Sequence, residues 1–349
     1  MQDLLIVGAG PIGIELAAAL THSGLDVGHV EAGALAQTVV DYPKQTRYFS
    51  SPDRIAVAGV PLVTTNNEKA LREEYLAYLR GVVTRHDLQI DYDTRVRSVR
   101  PLDHGDGFAV ELSAGPTGTP QRREARRVVL AIGDMHAPRM IGCPGEDLPH
   151  VSHRFEEPHA YFRKRLLIVG GKNSAAEAAL RCHRAGAQVT LSYRGAAFDE
   201  ASIKYWVLPE LHALIRHRQI HFLPNTEVAS LHPDHAVLRS NVQEQETKVR
   251  CDAALLMTGY VQDKTLFHTA GVTLSGENQA PTTDPETMQT DVPGLYVAGT
   301  AAAGTQNHFQ LFIENCHRHV EKIVRHLTGH PPAPNLVNQA PKTYGLPES

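Results

Sequence analysis

The chain has 349 residues, 42% of them hydrophobic and 21% charged, which is long enough for two ordinary globular domains. Its formal charge of −4 gives no electrostatic reason to expect nucleic acid or an anionic membrane as a partner. No apolar run reaches the roughly 18 residues of a membrane span, and the N-terminus lacks the basic stretch of a secretory signal. We therefore expect a cytoplasmic protein.

The cysteines and histidines suggest no metal site. Cys143, Cys182, Cys251 and Cys316 form no CxxC pair and are too scattered for a disulfide framework or a zinc site. The histidine cluster at 211–221 has no cysteine partner and no HExxH pattern, so we attribute it to surface composition. We expect Cys182 and Cys251 to be core thiols. A redox role for Cys143 or Cys316 stays open, because thiol reactivity requires an exposed, electropositive setting.

The chain begins with a dinucleotide-binding pattern. Residues 3–7 are a short apolar run typical of a buried parallel strand, and GxGxxG follows at Gly8, Gly10 and Gly13. A helix and a second strand ending at Glu31 come next. The three glycines allow a tight turn, close approach of a pyrophosphate and packing of helix on strand. The helix N-terminus would supply amide donors to phosphates, and Glu31 would bind the hydroxyls of an adenosine ribose.

Residues 166–175 (LLIVGGKNSA) nearly repeat residues 4–13 (LLIVGAGPIG), and the two copies align without a gap. The alignment pairs Gly8 with Gly170, Gly13 with Ala175, Glu15 with Glu177, Glu31 with Tyr193 and Ala32 with Arg194. A carboxylate would repel a ribose 2′-phosphate, whereas Arg194 can pair with one, so the second copy suits NADPH. The alternative is that Arg194 is a solvated charge at a strand end. Lys172 replaces the middle glycine and could either crowd the pyrophosphate or contact a phosphate.

The remaining apolar segments predict how the two units connect. ARRVVLAIG (125–133) and CDAALLMTG (251–259) each read as a buried strand followed by a glycine turn, which predicts two crossings between an outer and an inserted domain. VPGLYVAG (292–299) predicts another buried strand before a long amphipathic helix. Residues 105–126 read as an irregular hairpin with a polar tip. The proline-rich tail from residue 331 reads as an extended arm.

This order of motifs resembles the two-dinucleotide flavoproteins of the thioredoxin-reductase type. Several stretches are similar to the bacillithiol-disulfide reductase family, among them DYPKQTRYFSSPDRIAVAGVP, KALREEYLAYLR, PGEDLPHVSHRF, GGKNSAAEAAL, SIKYWVLPE, TTDPETMQTDVPGLYVAG and FIENCHRH. The similar stretches cover most of the chain from residue 4 to about 325. The resemblance implies an α/β protein with two Rossmann-like three-layer dinucleotide-binding domains, the NADPH domain being inserted into the FAD domain. It predicts FAD-binding segments at 1–137 and 261–330, an NADPH-binding domain at 138–260 and a C-terminal arm at 331–349.

The resemblance and the motifs together predict the cofactor-binding residues. For FAD they are Gly8, Gly10, Pro11, Ile12, Gly13, Glu31, Gln37, Thr38, Val96, Gly133, Gly299, Thr300, His308 and Phe309. For NADPH they are Gly170, Gly171, Lys172, Asn173, Ser174, Ala175, Tyr193, Arg194, Lys204 and Gly259. His308 could donate a proton, cap the last helix or lie at the surface. No other catalytic residue is assigned, because the flavin carries the chemistry.

The chain departs from these families in three features. It lacks the CxxC of thioredoxin reductases, and Ile12 stands where bacillithiol-disulfide reductases have a cysteine in GGGPCG. AGT at 298–300 also lacks the aspartate that many related flavoproteins place on the ribityl chain. We expect a cytoplasmic, homodimeric FAD-dependent NADPH oxidoreductase that reduces a low-molecular-weight disulfide. The alternatives are a ferredoxin or flavodoxin reductase, and a redox or nucleotide sensor that binds both cofactors without useful turnover.

Overall fold

The structure is a computed structural model, and it describes residues 1–103, 105–115, 117–243, 245–307 and 310–338. His308, Phe309 and the predicted arm beyond residue 338 therefore lie outside the described residues. The chain forms two compact units. Among the described residues, the first consists of Met1–Ala137 with residues 260–307 and 310–338, and the second of Pro138–Gly259.

The first unit is built from both ends of the chain. Its N-terminal segment contains, in order, β1 (Gln2–Val7), α1 (Pro11–Leu20), β2 (Val27–Val30), α2 (Gln37–Val40), α3 (Pro52–Ile55), α4 (Arg72–Arg85), β3 (Thr94–Pro101), β4 (Phe108–Ala114), β5 (Thr119–Leu130) and β6 (Ala137–Pro138). The second unit then contains β7 (Val151–Ser152), β8 (Arg165–Val169), α5 (Asn173–Arg184), β9 (Gln188–Tyr193), α6 (Leu208–Arg216), β10 (His221–Pro224), β11 (Thr226–His232), β12 (His235–Ser240), β13 (Glu246–Arg250) and β14 (Ala253–Leu256). The chain returns to the first unit through β15 (Tyr260–Val261), α7 (Thr265–Ala270), β16 (Leu274–Ser275), β17 (Ala280–Pro281), β18 (Leu295–Val297) and α8 (Ile313–Thr328).

Strand β5 organises the six-stranded sheet of the first unit, in which the order is β2-β1-β5-β4-β3 and β18 also pairs with β5. Its first half pairs antiparallel with β4, and its second half lies between the parallel strands β1 and β18. The predicted hairpin is therefore present, formed by β4 and the first half of β5, but its pairing is regular, so the expectation of an irregular hairpin was wrong. The alternating apolar residues of both strands stabilise the hairpin, with Phe108, Val110 and Leu112 buried on one face.

The parallel strand β1 of the first sheet is buried on both faces, as its continuous apolar run predicts. Leu4 and Ile6 pack in one core with residues of α1 and α8, whereas Leu5 and Val7 pack in another core with Phe267 of α7. On α8 the buried Cys316, Val320 and Ile323 recur at helical spacing, which confirms the predicted amphipathic helix. Helices and the sheet therefore form three layers.

The second unit has a five-stranded parallel sheet in the order β10-β9-β8-β14-β7. Leu166 and Ile168 of β8 face a core formed with α5 and α6. Leu167 faces the opposite way, into a core shared with Leu231 and Leu238 of the antiparallel sheet β11-β12-β13. This unit also has three layers, but one outer layer is a sheet. No helix in the described part of the chain is long and apolar enough to cross a membrane.

Candidate functional site

The first glycine turn has no room for a side chain at Gly8 or at Gly13. Gly8 adopts φ +106°, and a Cβ placed on it would lie 2.5 Å from the carbonyl oxygen of Ala131. A Cβ on Gly13 would lie 2.0 Å from the carbonyl oxygen of Gly8. A Cβ on Gly10 would meet only open space. The turn is thus closed against the protein at its two ends and open outward in the middle, as a phosphate-binding turn requires.

Two side chains form hydrogen bonds with the backbone of this turn: His29 of β2, and Glu31, which directly follows β2. His29 donates from Nε2 to the carbonyl oxygen of Gly8 at 3.0 Å, and burial lowers its pKa to about 4, so the ring is neutral. Glu31 accepts the N–H of Ala9 at 2.6 Å and that of Gly33 at 3.1 Å. A carboxylate has about four acceptor positions, so Glu31 keeps capacity for ribose hydroxyls. Its placement fits the adenosine of FAD.

Three segments predicted to bind FAD lie together, because each follows the carboxyl end of one of the neighbouring strands β1, β5 and β18. Pro11 begins α1, and no side chain among the described residues caps that helix. Ile12 is buried, and its Cβ lies 3.5 Å from a Cβ placed on Gly299. A Cβ on Gly133 would lie 3.9 Å from Oγ1 of Thr300. The open glycines and the uncapped helix leave a cradle at this edge of the sheet, which fits an extended dinucleotide such as FAD.

Three other residues predicted for FAD have different environments. Gln37 accepts the N–H of Ala34 at 2.9 Å and donates to Asp41 at 2.9 Å, so its side chain is occupied by its own segment. Thr38 is exposed on α2. The side chain of Val96 points into the core, which leaves only its backbone on the edge strand β3 for a ligand.

The second glycine turn is as tight as the first but is covered by an aromatic ring. Gly170 has φ +148°, and a Cβ on it would lie 2.6 Å from the carbonyl oxygen of Met257 and 3.0 Å from Cβ of Ala175. A Cβ on Gly171 would lie 2.2 Å from the ring of Tyr193. Phe198 stacks on the same ring with an interplanar angle of 9°. Tyr193 therefore fills the position that Glu31 has in the first unit.

The residues predicted around this turn separate into exposed and buried groups. Lys172, Ser174 and Arg194 are exposed at the turn and the end of β9, and no described residue forms an ion pair with Arg194. Asn173 begins α5, and its Oδ1 accepts the N–H of Lys204 at 3.2 Å. Gly259 has φ +95° and open space around its Cα. The exposed cations beside an uncapped helix fit the phosphates of NADPH.

Lys204 does not share this exposure. It is 7% exposed, and its ammonium forms an ion pair with Glu177 of α5. Its backbone N–H is bound by Oδ1 of Asn173, the first residue of α5, so Lys204 contacts this helix through both its backbone and its ammonium. Lys204 therefore stabilises the start of α5, and the carboxylate of Glu177 balances its charge.

The four cysteines are poor redox groups in this structure. Cys182, Cys251 and Cys316 are at most 1% exposed, and burial raises the pKa of Cys182 to about 12 and that of Cys251 to about 11. Burial, with the charge of Asp134, raises the pKa of Cys316 still further. Cys143 is half-buried, and burial with the charge of Glu146 raises its pKa as well. None of them is a thiolate near neutral pH.

A buried polar cluster next to Gly133 was missed by sequence reasoning. Asp134, Gln262 and Gln306 are each at most 8% exposed and hydrogen-bond around the turns that follow β5 and β18. Asp134 directly follows the strand-end glycine of LAIGD, a signal that could have been noticed. In the described part of the chain, no group of three His, Cys, Asp or Glu side chains could hold a metal.

Residues 5–299 match the protein family described as pyridine nucleotide-disulphide oxidoreductase. The chain belongs to this family. It is 36% identical over 314 residues to bacilliredoxin reductase Bdr of Bacillus subtilis, covering 90% of this chain and 94% of that protein. It is 29% identical over 317 residues to a ferredoxin–NADP reductase of Thermus thermophilus, covering 85% and 84%. The solved structure of a bacillithiol disulfide reductase from Bacillus cereus superposes with a TM-score of 0.88 at 32% identity, covering 94% and 99%.

This membership confirms the predicted fold class and the predicted enzyme class. The protein is a flavin-dependent oxidoreductase, and its cofactors are FAD and NADPH.

Proposed function

We propose that this enzyme reduces a low-molecular-weight disulfide of the bacillithiol kind at the expense of NADPH. The observation that carries the proposal is similarity over 90% of the chain to a bacilliredoxin reductase and over 94% of it to a bacillithiol disulfide reductase. The balanced reaction converts one disulfide, NADPH and a proton into two thiols and NADP⁺. NADPH supplies the hydride, and FAD accepts it and passes two electrons to the disulfide.

The residues divide this work between the two units. In the first unit Gly8 and Gly13 would keep the turn tight, Gly10 would let the FAD pyrophosphate reach the backbone, and Glu31 would bind the ribose. In the second unit the exposed Arg194 would pair with the 2′-phosphate of NADPH. Tyr193, held between Gly171 and Phe198, would form an apolar wall beside it.

The thiols of this chain argue against electron transfer from the flavin to the substrate disulfide through a protein cysteine. Ile12 cannot form a mixed disulfide, and the four cysteines have raised pKa values. The disulfide would therefore receive its electrons from the reduced flavin directly. The same observation favours a second candidate, a ferredoxin or flavodoxin reductase, because such an acceptor needs no thiol; the similarity to ferredoxin–NADP reductases agrees with it.

The deciding experiment is anaerobic. The purified flavoprotein is reduced with one equivalent of NADPH, and reoxidation of the flavin is followed after addition of bacillithiol disulfide, bacilliredoxin disulfide, ferredoxin or flavodoxin in separate runs. Fast reoxidation by bacillithiol disulfide supports the proposal. Reoxidation only by ferredoxin or flavodoxin replaces it with the second candidate, and reoxidation only by bacilliredoxin moves the acceptor to a protein disulfide. Flavin that NADPH fails to reduce would indicate a sensor.

We also propose that the enzyme works in the cytoplasm as a homodimer, as the family resemblance implies. Light scattering on the eluting FAD-bound protein tests the dimer. Fluorescence of a tagged chain in its host cell tests the location.

A further inference from the structure

A buried carboxylate lies where the turns after β5 and β18 meet. Asp134 follows Gly133 directly and is 8% exposed. Its Oδ2 accepts a hydrogen bond from Nε2 of Gln306 at 2.9 Å, and the hydroxyl of Thr300 donates another to the same carboxylate. Burial raises the pKa of Asp134, and these two donors oppose that effect by stabilising the ionised form. Asp134 thus connects the two turns through charge-assisted hydrogen bonds.

Gln306 extends this connection to the approach to α8. Its Oε1 accepts the N–H groups of Gln310 and Leu311, each at 2.9 Å. Its Nε2 also donates to the carbonyl oxygen of Leu311 at 3.1 Å. Since α8 begins at Ile313, Gln306 fixes the backbone just before the helix. Asp134 in turn fixes the orientation of the Gln306 amide.

The side chain of Gln262 also binds the turn at Gly133. Its Nε2 donates to the carbonyl oxygens of Gly133 and Ala301, both at 3.0 Å. Its Oε1 is buried and has no hydrogen-bond partner among the described residues. Exchanging the two amide atoms would set an oxygen against two carbonyls, so this orientation is the favourable one. An unsatisfied buried acceptor beside Gly133 fits a site whose ligand supplies a donor.

We propose that Asp134 is a positioning residue for FAD. It acts through Gln306, which holds residues 310–311 and thereby fixes the start of α8 relative to the turns at Gly133 and Thr300. This inference rests on the assignment of FAD to the first unit made above. The amide groups at the start of a helix carry partial positive charge, so their placement affects how a nearby group tolerates added electrons. The negative charge of Asp134 has the opposite effect to these amide groups and disfavours reduction of the flavin.

The test measures FAD binding and the flavin reduction equilibrium, neither of which requires turnover. Apoprotein is titrated with FAD, and quenching of flavin fluorescence gives the dissociation constant for the wild type, Asp134→Ala, Gln306→Ala, the double variant and Asp134→Asn. The reduction equilibrium is measured against a redox dye. Asp106→Asn, an exposed carboxylate in a turn, is the matched control for removal of one charge.

Asp134→Ala and Gln306→Ala should each weaken FAD binding about tenfold, and the double variant should be no weaker than either, because both changes break one connection. Asp134→Asn keeps an acceptor for Gln306 and should bind FAD within about threefold of the wild type. It should nevertheless favour reduced flavin about tenfold, equivalent to about 30 mV for two electrons. A purely structural Asp134 would leave that equilibrium unchanged.

Additive losses in the double variant, FAD binding by both alanine variants equal to the wild type, or an unchanged equilibrium in Asp134→Asn would each overturn the inference. If Asp134→Ala does not fold, Gln306→Ala and Asp134→Asn still decide it. A wild-type protein that binds no FAD would instead refute the proposed cofactor site, so the two failures are distinguishable.

Discussion

Oε2 of Glu15, on α1, lies 2.6 Å from Nδ1 of His317, on α8, and both side chains are at most 2% exposed. Nε2 of His317 faces the carbonyl oxygen of Arg54 at 2.9 Å. Nδ2 of Asn338 also lies 3.4 Å from Nε2, but the shorter contact of each ring nitrogen is with an acceptor. Both nitrogens therefore carry hydrogen, and the pair is an imidazolium with a carboxylate. Glu15 also accepts the N–H groups of Ala58 and Asn338 at 3.1 and 2.6 Å. This one ion pair therefore connects two helices, the segment after α3 and the chain at Asn338.

Replacing His317 with glutamine should destabilise the first unit by about 3 to 5 kcal/mol at pH 6, the usual cost of breaking a buried ion pair. Burial acts to lower the pKa of His317, but the hydrogen bond and charge of Glu15 outweigh it, and the pKa is raised above 6.5. Its contribution is therefore complete below pH 6.5 and is lost as the pH rises through the folded-state value. Urea unfolding with saturating FAD, at pH 6 to 9, measures this.

The difference in unfolding free energy between the wild type and His317→Gln should shrink as the pH rises. His22→Gln, at an exposed position, is the control and should change stability by less than about 0.5 kcal/mol at every pH. A difference that is constant from pH 6 to pH 9 would mean that His317 is neutral in the folded protein.

The two glycine turns show what sequence alone could predict. The repeat aligned Glu15 with Glu177, and both lie on the inner side of their helices. Their partners could not be aligned, because His317 comes from the far end of the chain and Lys204 from a loop after β9. Turn geometry is local and repeats with the motif, whereas the charge that neutralises a buried carboxylate depends on tertiary packing. Lys204 was accordingly predicted among the NADPH-binding residues, and the structure pairs its ammonium with Glu177.

Arg194→Ala should weaken NADPH binding by roughly 1.5 to 3 kcal/mol, about 10- to 100-fold in Kd, because it removes a charge-assisted contact with the 2′-phosphate. NADH lacks that phosphate and should bind almost unchanged. Stopped-flow reduction of the flavin at varied NADPH and NADH concentrations gives both constants. Lys248→Ala removes an exposed cation from the same unit and should alter neither. Equal weakening of both nucleotides would assign Arg194 a structural role.

Single replacement of each of the four cysteines by alanine should leave flavin reduction by NADPH intact and reoxidation by the disulfide within about threefold of the wild type. The reason is that burial raises the pKa of every one of these thiols, so none is available as a thiolate. Stopped-flow absorbance at the flavin band follows both half-reactions. Loss of reoxidation alone in the Cys143 or Cys316 variant would identify a thiol that does take part in electron transfer.

Ile12→Cys should create a reactive thiol at the start of α1. Residue 12 is the second residue of α1, where the amide groups and the helix dipole stabilise a thiolate, so the pKa of the new cysteine should fall below its ordinary value near 8.5. FAD should still bind, because the phosphate contacts of the turn come from backbone amides. Removing the buried Ile12 side chain should cost about 1 to 3 kcal/mol of stability.

Ile12→Ala is the matched control, since it leaves a similar or larger cavity without a thiol. We expect Ile12→Cys to raise the rate of reoxidation by bacillithiol disulfide several-fold above Ile12→Ala, and its rate of alkylation to show a thiol pKa below 8.5. Both variants should be reduced by NADPH at similar rates, because hydride transfer to the flavin does not involve this position. If Ile12→Cys gains the acidic thiol but no disulfide-dependent reoxidation, the electrons of this enzyme go to a different acceptor, and the ferredoxin or flavodoxin reductase becomes the better description.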